Sequence, residues 1–280
     1  VTIFTTKEYT PEQMQKFEDG DEPEKDKGMV KTILGTYALM PKIMKKLGVV
    51  QFFSWFAFFA MWTLANPALT SHIYNAPKPQ IEEFAQLDSE GELQYDADRV
   101  ILFQDDQARL EYSEQDKSYN EASDDVGSKM GIYGLSSMAF ALLLTFYTSR
   151  FAINRKLVHM GSLILGGAGF LLMYFIPGEP EMLYVCFVLI GFAWGSILSM
   201  PYAMLSSSVA SSKMGLMMGV FNMFIVIPQI IAALGGVVFL QKLIGEESIH
   251  AMTVAGVFLL FAAFSNLLIT DRKAIKYDPA

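Results

Sequence analysis

Residues 191–234 read GFAWGSILSMPYAMLSSSVASSKMGLMMGVFNMFIVIPQIIAAL. Two long apolar runs flank a serine-rich connection, and neither run contains Asp, Glu, Lys or Arg. A soluble hairpin would alternate an apolar stripe with a charged face. These runs are apolar all round and long enough to cross a bilayer, so the stretch predicts two membrane helices. Each carries a proline near its middle, Pro201 and Pro228, where a bend is expected. Each also carries isolated uncharged polar groups: Trp194, Ser199 and Tyr202 on the first, Asn222 and Gln229 on the second. In a membrane such groups face a neighbouring helix or a water-filled cavity.

Working outward, four more segments share this character. The six predicted spans are 48–71, 128–149, 157–176, 182–206, 214–240 and 249–270, each long enough for a hydrocarbon core of ~30 Å. None alternates as a barrel strand does. Basic residues gather before the first span (Lys42, Lys45, Lys46), after the second (Arg150, Arg155, Lys156), after the fourth (Lys213) and after the sixth (Arg272, Lys273, Lys276). With six spans these clusters fall on one side, which the positive-inside rule makes cytoplasmic. Both ends of the chain are then cytoplasmic, in a multi-pass protein of the cell membrane, the inner membrane if the source is bacterial.

The domains expected are a polar cytoplasmic linker with an amphipathic helix (1–40), an interfacial lead-in plus first span (41–73), an acidic extracytoplasmic loop (74–127), spans two to six (128–270) and a cytoplasmic tail (271–280). In the linker, Ile33, Tyr37, Met40, Met44 and Leu47 recur at helical spacing among lysines, and Pro41 is expected to break or restart that helix. Between residues 74 and 126 there are 15 acidic and four basic residues, a balance of −11 against −8 for the whole chain. This segment reads as a small extracytoplasmic cap; Asp105–Asp106 and Asp124–Asp125 lack the spacing of a calcium loop, and no metal site is expected. The start at Val1 without a methionine predicts a piece of a longer chain, and no signal peptide is evident.

Composition excludes several classes. Hydrophobic residues are 52% and charged residues 18%, with mean hydropathy +0.32. A net charge of −8 gives nucleic acid no counterion-release surface, so no nucleic-acid partner is expected. Cys186 is the single cysteine, which rules out an intrachain disulfide. No nucleophile motif, P-loop or dinucleotide fingerprint occurs, so neither an enzyme nor a cofactor is expected. No Asp, Glu, Lys or Arg lies mid-span, Lys129 and the three histidines (His72, His159, His250) falling near span ends. Proton coupling, which ordinarily uses an intramembrane carboxylate, would then depend on residues outside this chain.

What remains is a polar and aromatic lining. Gln51, Trp55, Phe58, Phe59, Trp62 and Asn66 fall within one arc of the first span. That face offers amides to hydroxyls and indole planes to the apolar face of a sugar ring; a packing stripe is the alternative. Ser199, Tyr202 and Ser206 share a face of the fourth span, and Asn222 and Gln229 share one of the fifth. The small-residue pairs Gly127/Gly131, Gly191/Gly195 and Gly215/Gly219 are expected to seat close helix crossings.

The run GFAWGSILSMPYAML, then KMG, then GVFNMFIVIPQII resembles the late helices of sucrose- and maltose-type cation symporters, in the glycoside–pentoside–hexuronide branch of the major facilitator superfamily; the animal solute carrier 45 proteins are similar. The likeness extends more loosely from about residue 47 to 270, and the basic loop RFAINRK resembles the loop found at the matching place in major facilitator halves. The resemblance implies an all-α membrane protein of six transmembrane helices, the C-terminal half of a major facilitator fold, with an acidic extracytoplasmic insertion. It implies that the first, second, fourth and fifth spans line the central path while the third and sixth support them. It also implies a disaccharide or related glucoside moved with a cation, a proton above all, by alternating access against an N-terminal six-helix half. The candidate substrate-binding residues are Gln51, Trp55, Trp62, Asn66, Ser199, Tyr202, Asn222 and Gln229. A membrane sugar sensor that does not transport, or a scaffold domain using the acidic loop, is the other reading.

Overall fold

The computed structural model describes residues 40–209 and 214–269. The amphipathic segment before residue 40, Lys213 and the basic tail lie outside the described residues. The helices are α1 (Lys42–His72), α2 (Asp106–Met130), α3 (Ile132–Thr148), α4 (Arg155–Leu172), α5 (Met182–Ser206), α6 (Met214–Ile231), α7 (Val237–Ile244) and α8 (His250–Ser265). With their short continuations they form six helical stretches long and apolar enough to cross a membrane, α2–α3 and α6–α7 each counting as one. The six-span reading thus holds.

Local chemistry sets the boundaries. Pro41 immediately precedes α1, whose first residue needs no intrahelical donor there, so the expected interfacial lead-in from Lys42 is continuous with the first span. Asp105 caps α2, its Oδ1 accepting from the Ala108 N–H at 2.7 Å. Asn154 caps α4, accepting from the Leu157 N–H at 3.2 Å. Neither proline ends its helix: α5 runs through Pro201 and α6 through Pro228. The break in the fifth span lies further on, at Ala232–Gly236, where Leu234 (φ −76°, ψ 15°) and Gly235 (φ 96°, ψ 6°) leave helical geometry. The positive φ at Gly235 explains the glycine, which has no Cβ to clash in the left-handed region.

Packing joins the helices in a row: α3 on α5, α5 on α4, α4 on α8, α8 on α1, and α1 on α6. A lighter contact between α1 and α5 folds that row back on itself. Glycines permit the closest crossings. A Cβ on Gly191 would lie 2.5 Å from the Tyr133 carbonyl oxygen, and one on Gly195 2.9 Å from the Phe140 ring. One on Gly166 would lie 2.4 Å from the Ala193 Cβ, and one on Gly48 2.7 Å from the Phe224 ring. The Gly191/Gly195 pair therefore does seat a crossing, that of α3 on α5. Gly127, Gly215 and Gly219 face nothing within 4 Å, and Gly131 meets only a carbonyl of its own helix region, so the other two pairs seat none.

The two ends of the row are thinly covered. α3 buries only Ser137 of its 17 residues and α6 four of its 18, whereas α1 buries 15 of 31 and α5 13 of 25. Leu135, Met138, Leu142, Leu143 and Phe146 on α3 stand exposed, as do Leu216, Val226, Ile227 and Ile230 on α6.

At the acidic end the chain is more ordered than a loop. Residues 84–104 form a three-armed knot closed by a ring of backbone bonds. The Gln86 N–H donates to the Leu102 oxygen (2.7 Å), Leu102 to Gln94 (2.9 Å), and Gln94 to Gln86 (3.0 Å). These three residues are spaced eight apart, and two arms repeat one turn. Asp88 Oδ1 accepts from the Glu90 and Glu92 N–H groups at 2.8 and 3.0 Å. Asp96 Oδ1 accepts from Asp98 and Val100 at 2.8 and 2.9 Å. Phe84 and Phe103 pack on Tyr112 of α2, which anchors the knot to that helix.

Candidate functional site

The first-span stripe meets a tryptophan from α5. Trp194 stands 5.5 Å from Trp55 at 75°, 5.3 Å from Trp62 at 90°, and 4.9 Å from Phe58 at 37°. Tyr133 of α3 joins them, its hydroxyl accepting from the Trp62 indole N–H at 3.2 Å. Edge-on ring pairs of this kind contribute about 0.5–1.5 kcal/mol each beyond their buried area. Trp62 is 37% exposed, so the cluster is not wholly closed into the core.

Below Trp55 on the same arc, Gln51 is fully buried, and neither end of its amide has a hydrogen-bond partner; nor does the Trp55 indole nitrogen. Leaving such groups unsatisfied costs about 1–3 kcal/mol apiece. Their mixture of donors and acceptor suits a hydroxyl group or a water, which can both donate and accept.

The other candidates are placed elsewhere. Asn66 turns to the α2 extension, its Nδ2 donating to Ser123 Oγ at 2.8 Å, with Oδ1 unpartnered. Ser199 donates back to the Gly195 carbonyl at 2.7 Å. It lines an apolar cavity of about 300 Å³ with Leu144, Thr145, Ile153 and Arg155. Tyr202 sets its ring against Phe221 of α6 at 81°. Ser199 and Tyr202, expected on one face, thus look to α3 and to α6 respectively. Asn222 is exposed and Gln229 half-buried on α6. Among the described residues no ring contact or hydrogen bond joins either to the tryptophan cluster. The structure therefore brings together Trp55 and Trp62, with Gln51 beneath them, and leaves the remaining five apart. Trp194 and Tyr133 complete the cluster; the sequence signal for Trp194 was an indole in the middle of an apolar span with no charged residue.

The third span is less inert than its composition suggests. His159, expected near a span end, is fully buried, with Nδ1 2.8 Å from Ser196 Oγ of α5. At the acidic end, Lys129 is buried beneath an ionic cluster. Its Nζ donates to Asp125 Oδ2 at 2.6 Å, Glu181 Oε1 at 3.1 Å and the Tyr74 hydroxyl at 3.4 Å. The Tyr74 hydroxyl donates to Asp125 at 2.8 Å. Burial first, and then the bond to Asp125, pushes the Tyr74 phenol up to about 12. The cluster ties α1, α2 and the α4–α5 connection into one corner.

Comparison with known proteins places this arrangement. A 92-residue stretch is 33% identical to the sucrose transport protein SUT3 of Oryza sativa, in both subspecies indica and japonica. The match covers 32% of this chain and 18% of the rice protein, so the chain spans only a small part of that relative's length. Residues 47–279 match the family model of the Major Facilitator Superfamily. With six membrane-crossing helices in place and the family model spanning most of its length, this chain belongs to the major facilitator superfamily.

Proposed function

We propose that this chain is the C-terminal six-helix half of a transporter that moves a sugar across a membrane, a disaccharide or related glucoside of the sucrose or maltose type, together with a proton. Membership of the superfamily and the likeness to a rice sucrose transport protein support sugar as the cargo. The observation that carries the reading is the tryptophan cluster. Trp62 stays partly exposed, and the unpartnered Gln51 amide and Trp55 N–H lie within about two to three helical turns of it along α1. A sugar ring has one apolar face for the indole and a rim of hydroxyls for the amide.

The thinly covered faces of α3 and α6 are where an N-terminal half would dock, and sugar would bind between the two halves. Rocking of one half against the other then opens the site to each side in turn. The basic end is the cytoplasmic one in this reading, by the charge rule. The test is counterflow: the full-length protein carrying this chain, reconstituted in vesicles preloaded with sucrose or maltose, should draw in the same labelled sugar saturably. Absence of counterflow with protein present would refute the reading.

A further inference from the structure

Neighbours on two helices hold Tyr133 in place. It lies in the first turn of α3, at the crossing where a Cβ on Gly191 of α5 would come within 2.5 Å of the Tyr133 carbonyl oxygen. About one turn on, the Ser136 hydroxyl donates to the Val188 carbonyl of α5 at 2.8 Å, which locks the same crossing. The phenol ring stands 6.3 Å from Trp194 at 79° and 6.5 Å from Phe58 of α1 at 56°. Its hydroxyl meets the Trp62 indole nitrogen at 3.2 Å. α5 thus seats the backbone, α1 and α5 flank the ring, and α1 holds the hydroxyl.

Chemistry fixes the polarity of that last bond. An indole nitrogen donates and cannot accept, so the phenol oxygen is the acceptor. The phenol keeps its own proton for a second bond, and among the described residues no acceptor receives it. Tyr74 shows what the same group does when an acceptor is in reach. Its hydroxyl accepts from Lys129 Nζ at 3.4 Å and donates to Asp125 Oδ2 at 2.8 Å. Tyr133 has the incoming bond of that pair and lacks the outgoing one. The surroundings leave room for an acceptor. Tyr133 is half-buried beside a partly exposed Trp62, and a Cβ on the adjoining Gly134 would meet nothing within 4 Å.

We propose that Tyr133 is a specificity-determining residue of the sugar site, its phenol donating to one oxygen of the sugar while the Trp62 N–H holds it. The proposal rests on the sugar-transport reading above. The bond from Trp62 polarises the hydroxyl, and hydrogen bonds in a chain strengthen one another, so the outgoing bond is the stronger for it. That bond requires an acceptor oxygen at one position of the sugar and nothing of that oxygen's own hydrogen. A hydroxyl or an ether oxygen satisfies it; a carbon stripped of its oxygen does not. Without that oxygen the phenol proton is left unpaired, which is how a hydrogen-bonding site rejects an analogue that lacks the group.

The experiment uses the full-length protein in vesicles and compares the parent with Tyr133→Phe, which keeps the ring and loses the hydroxyl. Counterflow of labelled sucrose or maltose, whichever the parent carries, gives the half-saturating concentration, and singly deoxygenated analogues of that sugar serve as competitors. Tyr133→Phe should raise the half-saturating concentration about three- to tenfold at parental surface amount. In the parent, one deoxy analogue should compete more weakly than the intact sugar by a similar factor. In Tyr133→Phe that analogue and the intact sugar should compete within about twofold of one another. Parental half-saturation in Tyr133→Phe overturns the proposal alone. So does a rise that weakens the intact sugar and every deoxy analogue alike, which makes the hydroxyl only a prop for Trp62. Absence of counterflow in the parent overturns the sugar-transport reading and this proposal with it. If Tyr133→Phe does not reach the vesicles, Trp62→Phe decides. It keeps a ring but removes the N–H that holds the phenol, so the parent's penalty for that one deoxy analogue should shrink; an unchanged penalty overturns the proposal.

Discussion

The indole rings of Trp62 and Trp194 stand perpendicular, their centres 5.3 Å apart, one on the first span and the other on the fourth. This edge-to-face pair joins α1 to α5 across a light seam of the bundle, and Trp55 and Phe58 brace it. Trp194 is then a positioning residue for Trp62. Trp194→Phe should keep an aromatic edge and change the half-saturating sugar concentration by less than about threefold. Trp194→Ala should raise it by about three- to tenfold, the equivalent of one ring pair. Uptake kinetics of the full-length variants at equal surface amount check this.

Helix crossings at glycine predict unequal tolerance. Gly191→Ala would force a methyl to within 2.5 Å of a backbone oxygen on α3, which a shift of α3 on α5 must relieve. Overpacking of that kind costs about 1–3 kcal/mol. Gly219→Ala meets open space and should be neutral or slightly stabilising. Thermal-shift measurements on the detergent-solubilised protein should separate the two by several degrees, with equal melting of both variants counting against the packing described.

The buried ammonium at the acidic end predicts an asymmetry between partners. Lys129 is 1% exposed, whereas the Glu181 side chain is largely in water and Asp125 partly so. Lys129→Met removes three bonds at once and should cost on the order of 1–3 kcal/mol, discounted because water can reach both carboxylates. Glu181→Gln should cost well under about 1 kcal/mol. Melting temperatures of the two variants, compared with the parent, test the order.

The knot should respond to acid. Asp88 is held below the usual carboxylate range by the N–H groups of Glu92, then Glu90, which favour its charged form. A depressed carboxylate adds stability above its ordinary value near about 4 and loses it as pH falls through the lower folded value. Hydrogen exchange over residues 86–104, corrected for intrinsic rate, should therefore show protection at pH 7 that is lost as the pH falls below the ordinary carboxylate value. Protection that survives acid would mean that the backbone ring alone holds the knot.

Much of this architecture was legible because lipid leaves few options. Apolar length alone located the six spans, and the indoles at 55 and 62 marked the face of α1 that meets α5. Other features were not legible, for physical reasons. Residues 106–127 are polar nearly all round, so their helix shows no stripe; the signal was Asp105 as a cap with Ala122 and Val126 one turn apart. The octad spacing of Gln86, Gln94 and Leu102 is too short for a repeat architecture and too long for strand alternation. The proline at 228 drew attention from Gly235–Gly236, where the fifth span breaks. Composition alone made the third span a bland support, although it buries His159 against Ser196 of α5. Asn222 and Gln229 share a helix face as expected, but sequence does not say how far that face lies from the tryptophans.

Topology offers a direct check on the charge argument. Ser89 lies in the knot and Ser149 in the connection before α4, both exposed, and the single native thiol, Cys186, is buried. Ser89→Cys and Ser149→Cys should label with a membrane-impermeant reagent from opposite sides. Labelling of both from one side would overturn the six-span arrangement.

The most direct test of the central claim, that the tryptophan cluster receives the sugar, is the half-saturating sugar concentration of full-length Trp62→Ala measured with its surface amount. A ring that stacks on sugar predicts parental amounts at the membrane and a half-saturating concentration raised about three- to tenfold. A variant depleted from the membrane whose remaining protein half-saturates at the parental concentration would contradict the account, making Trp62 a packing residue.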